Sequence, residues 1–280
     1  MLDFLPRPMK EQARSVLSGI NLFNSTVDEL ARGEARQGLL NMLAALDGEA
    51  TTAEERDFAS FCLGRYQRSY AQLQQDLFVL WRSKGKQGGT FVEFGASNGV
   101  TNSNSLMLER DYGWGGLLIE ALPWHRRDIV RARPDAELVI GAVDPAYPAT
   151  PKSLEIVASA GHLSSLVGFA ENDEHATRRK QTGAKIKVPA INLHDALRST
   201  FGKHRIDFMS IDVEGPELAI LQGFDFMEFP VGCLCVEVND REQDRVEITN
   251  LMSERGYTTV FGPRITRNDL WFVRRDELAS

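Results

Sequence analysis

Cysteine is scarce: only Cys62, Cys233 and Cys235 occur among 280 residues. Three thiols cannot form the paired framework that staples small secreted domains, so a reducing compartment and a cytoplasmic location are expected. Long apolar runs are also missing. No stretch approaches the roughly 18 residues that span a bilayer, and the opening MLDFLPRPMKEQ holds no apolar core of signal-peptide length. Positive charge is in deficit, with 32 Lys and Arg against 39 Asp and Glu. That balance is wrong for coating phosphate backbones or anionic lipid, so neither nucleic acid nor a membrane span is expected as a partner. His125, His162, His175, His194 and His204 show no metal-ligand spacing, and no metal is assigned. No Gly-x-Ser-x-Gly elbow, internal repeat or low-complexity tract is present. What remains is an ordinary globular composition, 42% hydrophobic and 25% charged, on a chain long enough for a large core.

Residues 1–85 read as a helical N-terminal extension. Thr26 with Glu29, and Thr52 with Glu55, fit capping boxes. After Thr26 the apolar positions Val27, Leu30, Leu39, Leu40, Leu43 and Leu46 recur at helical spacing, with Gly48 as the stop. After Thr52 the same spacing runs through Phe58, Phe61, Cys62, Tyr66, Tyr70, Leu73, Leu77 and Leu80 to Gly85, which predicts one long helix. A shorter helix is expected between Met9 and Leu17. In the long helix Gln72, Gln74, Gln75 and Asp76 read as a solvated face.

From residue 86 to 280 short apolar runs alternate with helical stretches. Strands are predicted at Thr90–Phe94, Gly116–Glu120, Leu138–Ala142, Ile206–Ile211, Gly232–Val238, Tyr257–Phe261 and Leu270–Val273. The first five have crossover-length connections and imply a parallel sheet buried on both faces; the last two read as an antiparallel edge hairpin. The fold class is therefore α/β, a Rossmann-like, seven-stranded, mainly parallel sheet, the arrangement expected of class I methyltransferases. In such sheets ligands sit at the carboxyl ends of the strands. Residues 149–187 break the alternation and read as an insertion, a lid on the substrate side.

Polar motifs cluster at those strand ends. FVEFGASNG places Glu93 two residues before a Gly95-x-x-x-Gly99 turn. The spacing is not that of the dinucleotide fingerprint, and a carboxylate there would repel a pyrophosphate while suiting the ammonium and sulfonium of S-adenosyl-L-methionine. Glu120 closes the second predicted strand, where an acid can accept from ribose hydroxyls. Asp144, after the third, could meet an adenine edge or form an ordinary Asp-Pro turn. RIDFMSIDVEGPELAILQGF carries Asp207, Asp212, Glu214 and Glu217. Glu217 suits a first helical turn, but Asp212 and Glu214 together require a hydroxyl to deprotonate, a cation, or a sulfonium. VEVND brings Glu237, Asn239 and Asp240 beside them. Cys233 and Cys235 read as small buried hydrophobes.

Together these residues resemble the FkbM family of S-adenosylmethionine-dependent methyltransferases, over Ser69 to Arg274. SYAQLQQDLF is similar to that family's entry helix, FVEFGASNGVTNSNSLMLERDYGWGGLLIEALP to its glycine loop and ribose acid, IDFMSIDVEGPELAILQGF to its Asp-x-Glu-Gly-x-Glu block, and NDLWFV to its last strand. The resemblance implies methylation of a hydroxyl on a sugar, glycan or secondary metabolite. It implies a cofactor site of Glu93, Phe94, Gly95, Ala96, Asn98, Gly99, Ser103, Asn104, Glu120, Ala121, Ala142, Val143 and Asp212. It implies Asp212 and Glu214 beside the transferred methyl, and Gln75, Asp76, His162, Ser164, Ser165 and Asn239 toward the acceptor. Asn98 stands where many members carry Asp, and Ala121 where many carry Pro. Two roles suit the helices before Ser69: formation of a homodimer, or capture of the acceptor. A nicotinamide-dependent oxidoreductase and a non-catalytic binding protein are the competing readings; the first needs a Gly-x-Gly-x-x-Gly loop, which is absent.

Overall fold

The computed structural model describes residues 27–46, 51–145, 153–158, 164–169, 177, 181, 183–239 and 241–277, with side chains in the first helix from residue 32 onward. Thr26, Gly48, His162, His175, Asp240 and the helix expected between Met9 and Leu17 lie outside the described residues. In chain order the elements are α1 Val27–Ala45, α2 Ala53–Leu63, α3 Gln75–Arg82, β1 Thr90–Phe94, α4 Leu106–Tyr112, β2 Gly115–Glu120, α5 Arg126–Ala132, β3 Glu137–Ile140, β4 Ala142–Val143, β5 Ser153–Ala158, β6 Ser165–Leu166, β7 Ala184–Ile191, α6 Leu193–Phe201, β8 Ile206–Ile211, α7 Glu217–Gly223, β9 Val231–Glu237, α8 Glu242–Glu254, β10 Tyr257–Thr259, α9 Pro263–Thr266 and β11 Asp269–Arg274. They divide into two compact units. The first draws on Met1–Gly88, Val100–Trp114 and Phe261–Arg267; the second draws on Gly89–Gly99, Gly115–Val260 and Asn268–Ser280.

The first unit is helical. At the start of α2 the Thr52 hydroxyl accepts from the Glu55 N–H at 3.1 Å, and a Glu55 oxygen accepts from the Thr52 N–H at 2.7 Å, the reciprocal capping box expected. The Arg264 guanidinium donates to both Glu55 oxygens, at 3.0 and 3.1 Å. Phe58 is fully buried, with its ring 5.1 Å from that of Phe261 and 5.4 Å from that of Trp81. Burying such a ring contributes about 1.5–3 kcal/mol, more than a cap, so the aromatic cluster holds the helix and the box sets where it begins.

The single long helix expected from Thr52 to Gly85 is two. Asp76 is the reason: its carboxylate accepts from the Ser69 hydroxyl at 2.7 Å and from the N–H groups of Tyr70 at 3.0 Å and Leu77 at 2.7 Å. A side chain that satisfies backbone donors offers the chain an alternative to helix, and Gln74 takes a left-handed conformation before α3 begins. Gln74, Gln75 and Asp76 are buried, so among the four polar residues read as a solvated face only Gln72 is exposed.

The second unit carries a seven-stranded sheet in the order β10-β11-β9-β8-β1-β2-β3. Strands β3, β2, β1, β8 and β9 are parallel, and β11 runs antiparallel between β9 and β10. This is the Rossmann-like sheet expected. Order reverses at β1, which lies between β2 and β8 and so marks the switch point. Phe91, Val92, Leu117, Leu118, Phe208 and Met209 are fully buried, as a sheet covered on both faces requires.

Two expectations need correction. The third strand stops at Ile140; beyond Gly141 the chain joins a different sheet as β4, pairing with β7. The segment 149–187 also contributes strands: β5, β6 and the start of β7 join β4 in a four-stranded sheet ordered β4-β7-β5-β6. Leu122, Ala142, Ile156, Ala158 and Val188 form its small core. Among the described residues no helix is long and apolar enough to cross a membrane.

Glu55 serves both the cap and the ion pair, so Glu55→Ala is expected to destabilise more than Thr52→Ala, which costs about 1 kcal/mol. Urea unfolding checks this; equal shifts in midpoint for the two variants would remove the ion pair from the account.

Candidate functional site

Glu93, Glu120, Asp212 and Glu237 all lie at carboxyl ends of neighbouring parallel strands, β1, β2, β8 and β9. The turn after β1 is tied to β2: the Gly95 and Ala96 N–H groups donate to the Ile119 carbonyl at 2.9 and 3.2 Å. Gly95 has a φ of +75°, and a Cβ there would lie 1.9 Å from the Asp212 carbonyl oxygen. Only glycine satisfies both the handedness and the approach. The glycine turn and the first acid after β8 are thus in van der Waals contact through backbone alone.

Glu120 is buried and turned back onto that turn. One oxygen accepts from the Ser97 N–H and the other from the Leu122 N–H, both at 2.7 Å. Each carboxylate oxygen has two acceptor sites, so capacity remains for ribose hydroxyls. Burial raises its pKa from 4.5 to about 7 despite those bonds. Glu93 also has a partner within the fold. Its carboxylate lies 3.7 Å from Arg133, whose side chain is fully buried and also donates to the Gly99 carbonyl at 3.3 Å. The fold itself balances the Glu93 charge, and the pair braces the glycine turn. Sequence reasoning missed Arg133, because nothing local marks an arginine just past the end of α5, 34 residues beyond Gly99, as buried.

Asp212, Glu214 and Glu237 each offer an oxygen within 4.8 Å of the others. Burial, then the charges of Asp212 and Glu214, hold the Glu237 pKa well above the usual carboxylate range. Carboxyl groups this close favour a shared proton over three full charges. The set could share protons or take a divalent cation. Glu217 has a more specific task than the helix dipole. Its oxygens accept from the N–H groups of Val213 at 3.2 Å and Gly215 at 3.0 Å. Arg241 donates to Glu217 at 2.7 Å and to the Gly215 carbonyl at 2.7 Å. Arg241, also missed from sequence, clamps the turn that carries Glu214.

Other candidates are distributed as follows. Ala142 and Val143 are buried in β4, and the Asp144 N–H donates to the Ile191 carbonyl at 3.0 Å. Ala121 and Ser164 are partly exposed; Ser165 is buried and its hydroxyl donates to the Glu214 carbonyl. Asn239 is buried and accepts from the Asn268 amide at 3.3 Å. Phe94 and Ala96 are buried and Asn98 is partly exposed. Asp207 lies at the opposite end of β8, where it accepts from the Thr90 N–H at 2.9 Å. Gln75, Asp76, Ser103 and Asn104 belong to the first unit. There the Gln75 side chain accepts from the Leu73 N–H and the Ser103 hydroxyl from the Leu106 N–H at the start of α4; Asn104 is buried. His194 is structural: its ring stacks 5.6 Å from Phe229 and its Nε2 accepts from the Asp225 N–H.

The family model of the methyltransferase FkbM domain matches residues 93–259. No curated protein matches the sequence significantly. Among solved structures, the methyltransferase FkbM from Methylobacillus flagellatus KT is 12% identical, with 86% of this chain and 60% of that one covered and a TM-score of 0.40. The Aeropyrum pernix fibrillarin, solved with natively bound S-adenosyl-L-methionine, is 15% identical, with coverage of 67% and 66% and a TM-score of 0.37. The human methyltransferase 10 domain containing protein is 11% identical, with coverage of 77% and 92% and a TM-score of 0.40.

Because the Glu120 pKa is higher in the folded state, the folded protein holds a proton there that the unfolded chain releases. Its contribution to stability is present below about 4.5 and is lost as pH rises toward about 7. Glu120→Gln is expected to flatten the fall in stability across that window, as read by thermal unfolding at successive pH values; an unchanged slope would place the effect elsewhere.

Proposed function

The chain belongs to the FkbM methyltransferase family and uses S-adenosylmethionine, and from that premise we propose that it methylates a hydroxyl of a sugar, glycan or secondary metabolite. The observation that carries this reading is the backbone contact of Gly95 on Asp212, which joins the turn suited to the cofactor to the acids suited to the acceptor. When bound, S-adenosylmethionine supplies an electrophilic methyl carbon on a sulfonium.

The residues present fit that group. Glu120 is a buried carboxyl group with acceptor capacity left for a ribose hydroxyl, and its bond to the Ser97 N–H fixes it relative to the glycine turn. Phe94, Gly95, Ala96, Asn98 and Gly99 would line the cofactor along that turn; Ala121, Ala142 and Val143 would line its base. Glu93 serves through Arg133, by bracing the turn. On the acceptor side, Asp212 or Glu214 takes or orients the hydroxyl proton, with Glu237 close beside both. General-base help of this kind contributes on the order of 10²–10⁴ in rate, and alignment of the reacting atoms contributes more. The insertion 149–187 reads as the acceptor-side lid, supported by the placement of Ser165 on the Glu214 turn. The helices of residues 1–85 serve acceptor capture or a homodimer. A small-molecule or glycan acceptor and a cytoplasmic location complete the proposal.

Calorimetry should show S-adenosylhomocysteine binding and no binding of NAD; the reverse result would favour an oxidoreductase. Gly95→Ala should abolish S-adenosylhomocysteine binding, since its methyl group meets the Asp212 carbonyl. Asp212→Asn and Glu214→Gln should keep that affinity within a few-fold. Their transfer of tritiated methyl into a polar metabolite extract of the source cells should fall by about 10²-fold or more. Full transfer by both variants would sink the assignment of the acids.

A further inference from the structure

The acid turn after β8 is held from two directions, and only one of them belongs to the main sheet. On that side Arg241 and Glu217 grip the carbonyl and the N–H of Gly215. On the other side stands the inserted sheet. The Ser165 hydroxyl, 2% exposed, donates to the carbonyl of Glu214 itself. A Cβ on Gly215 would lie 2.6 Å from the Cβ of Phe169 and 3.2 Å from the Ser165 hydroxyl oxygen, so the insertion presses directly on the turn. Its footing is firm. Ser165 pairs with Val157, the Val167 N–H donates to the Glu155 carbonyl at 3.0 Å, and the Phe169 N–H donates to the Leu166 carbonyl at 2.9 Å. Strand β5 is in turn paired with β7 from Ser153 to Ala158.

Glu214 needs such a hold. Its φ is +58°, a left-handed conformation that is strained for a non-glycine residue and persists only where the surroundings impose it. Its carboxyl group is also buried beside the acids Asp212 and Glu237, which tend to push it out.

We propose that Ser165 and Phe169, carried by the inserted sheet, are positioning residues that hold Glu214 in the orientation in which it meets the acceptor. The consequence is that the insertion does more than cover the site: its seating on Gly215 decides whether the second acid is presented. This rests on the reading of Glu214 as an acceptor-facing acid.

The test uses the full chain labelled with ¹³C at glutamate carboxyls, with the Glu214 resonance assigned by its loss in Glu214→Gln. Ser165→Ala should shift and broaden that resonance, and Ser165→Thr, which keeps the hydroxyl, should restore it. Phe169→Ala should broaden it and Phe169→Leu should leave it close to wild type, which provides the answer if Ser165→Ala does not fold. Transfer of tritiated methyl into the source-cell extract should fall on the order of 10²-fold in Ser165→Ala and return in Ser165→Thr, while S-adenosylhomocysteine affinity stays within two-fold. An unchanged Glu214 resonance in both Ser165→Ala and Phe169→Ala, or failure of Ser165→Thr to restore it, overturns the proposal. Absence of S-adenosylhomocysteine binding in the wild type would instead sink the methyl-transfer reading, with the resonance still deciding whether the insertion positions Glu214.

Discussion

Gly95 rests against the carbonyl of Asp212 with no space for a methyl group between them. Two strands that are distant in sequence, β1 and β8, are adjacent at the switch point of the sheet, and this contact draws their following turns together. The glycine turn is fixed on its other side by two N–H bonds to Ile119 and by the Glu120 carboxylate on Ser97. One backbone approach therefore sets the distance between the loop that suits a sulfonium nucleoside and the acids that suit a hydroxyl. Alignment dominates methyl transfer, because the electrophile comes with the cofactor and the protein contributes orientation and proton removal.

Around that contact the fold gathers more negative charge than a buried sheet end tolerates unaided, and it deals with each acid differently. Glu93 is met by Arg133, just past the end of α5, and Glu217 by Arg241, just before α8. Removing one partner of such a pair leaves a buried charge, so these arginines are as necessary to the local shape as the glycines. Glu120 is held by backbone donors, and Glu237 is buried close to Asp212 and Glu214. What results is a graded set: acids committed to structure, and acids whose protons are adjustable.

The inserted sheet adds a second layer of control. Its four short strands have a core of their own, and its tip lies on the turn after β8. The inserted sheet thereby touches the turn that carries Glu214.

Much of this architecture is local and was legible in the chain. Apolar runs of strand length bounded by glycine or acid locate β1, β2, β8 and β9 to within a residue, because a strand buried on both faces admits little else. The capping box at Thr52 and Glu55 is likewise a short-range signal, and the order of Glu93, Gly95, Glu120 and the Asp212–Glu214 pair follows from where those strands end. Partners far apart in sequence were not legible. No periodicity says that Arg133 lies inside beside Glu93, that Asp76 bonds backward to Tyr70 and breaks a helix, or that residues 153–191 pair into a separate sheet. Those outcomes depend on which buried charge finds which counter-charge, and on which strand edge is open when the chain arrives. The sequence alone determined the parallel sheet and the acids at its mouth; tertiary structure decided which of those acids stay available for chemistry, because availability is set by neighbours that only folding brings within a few ångströms.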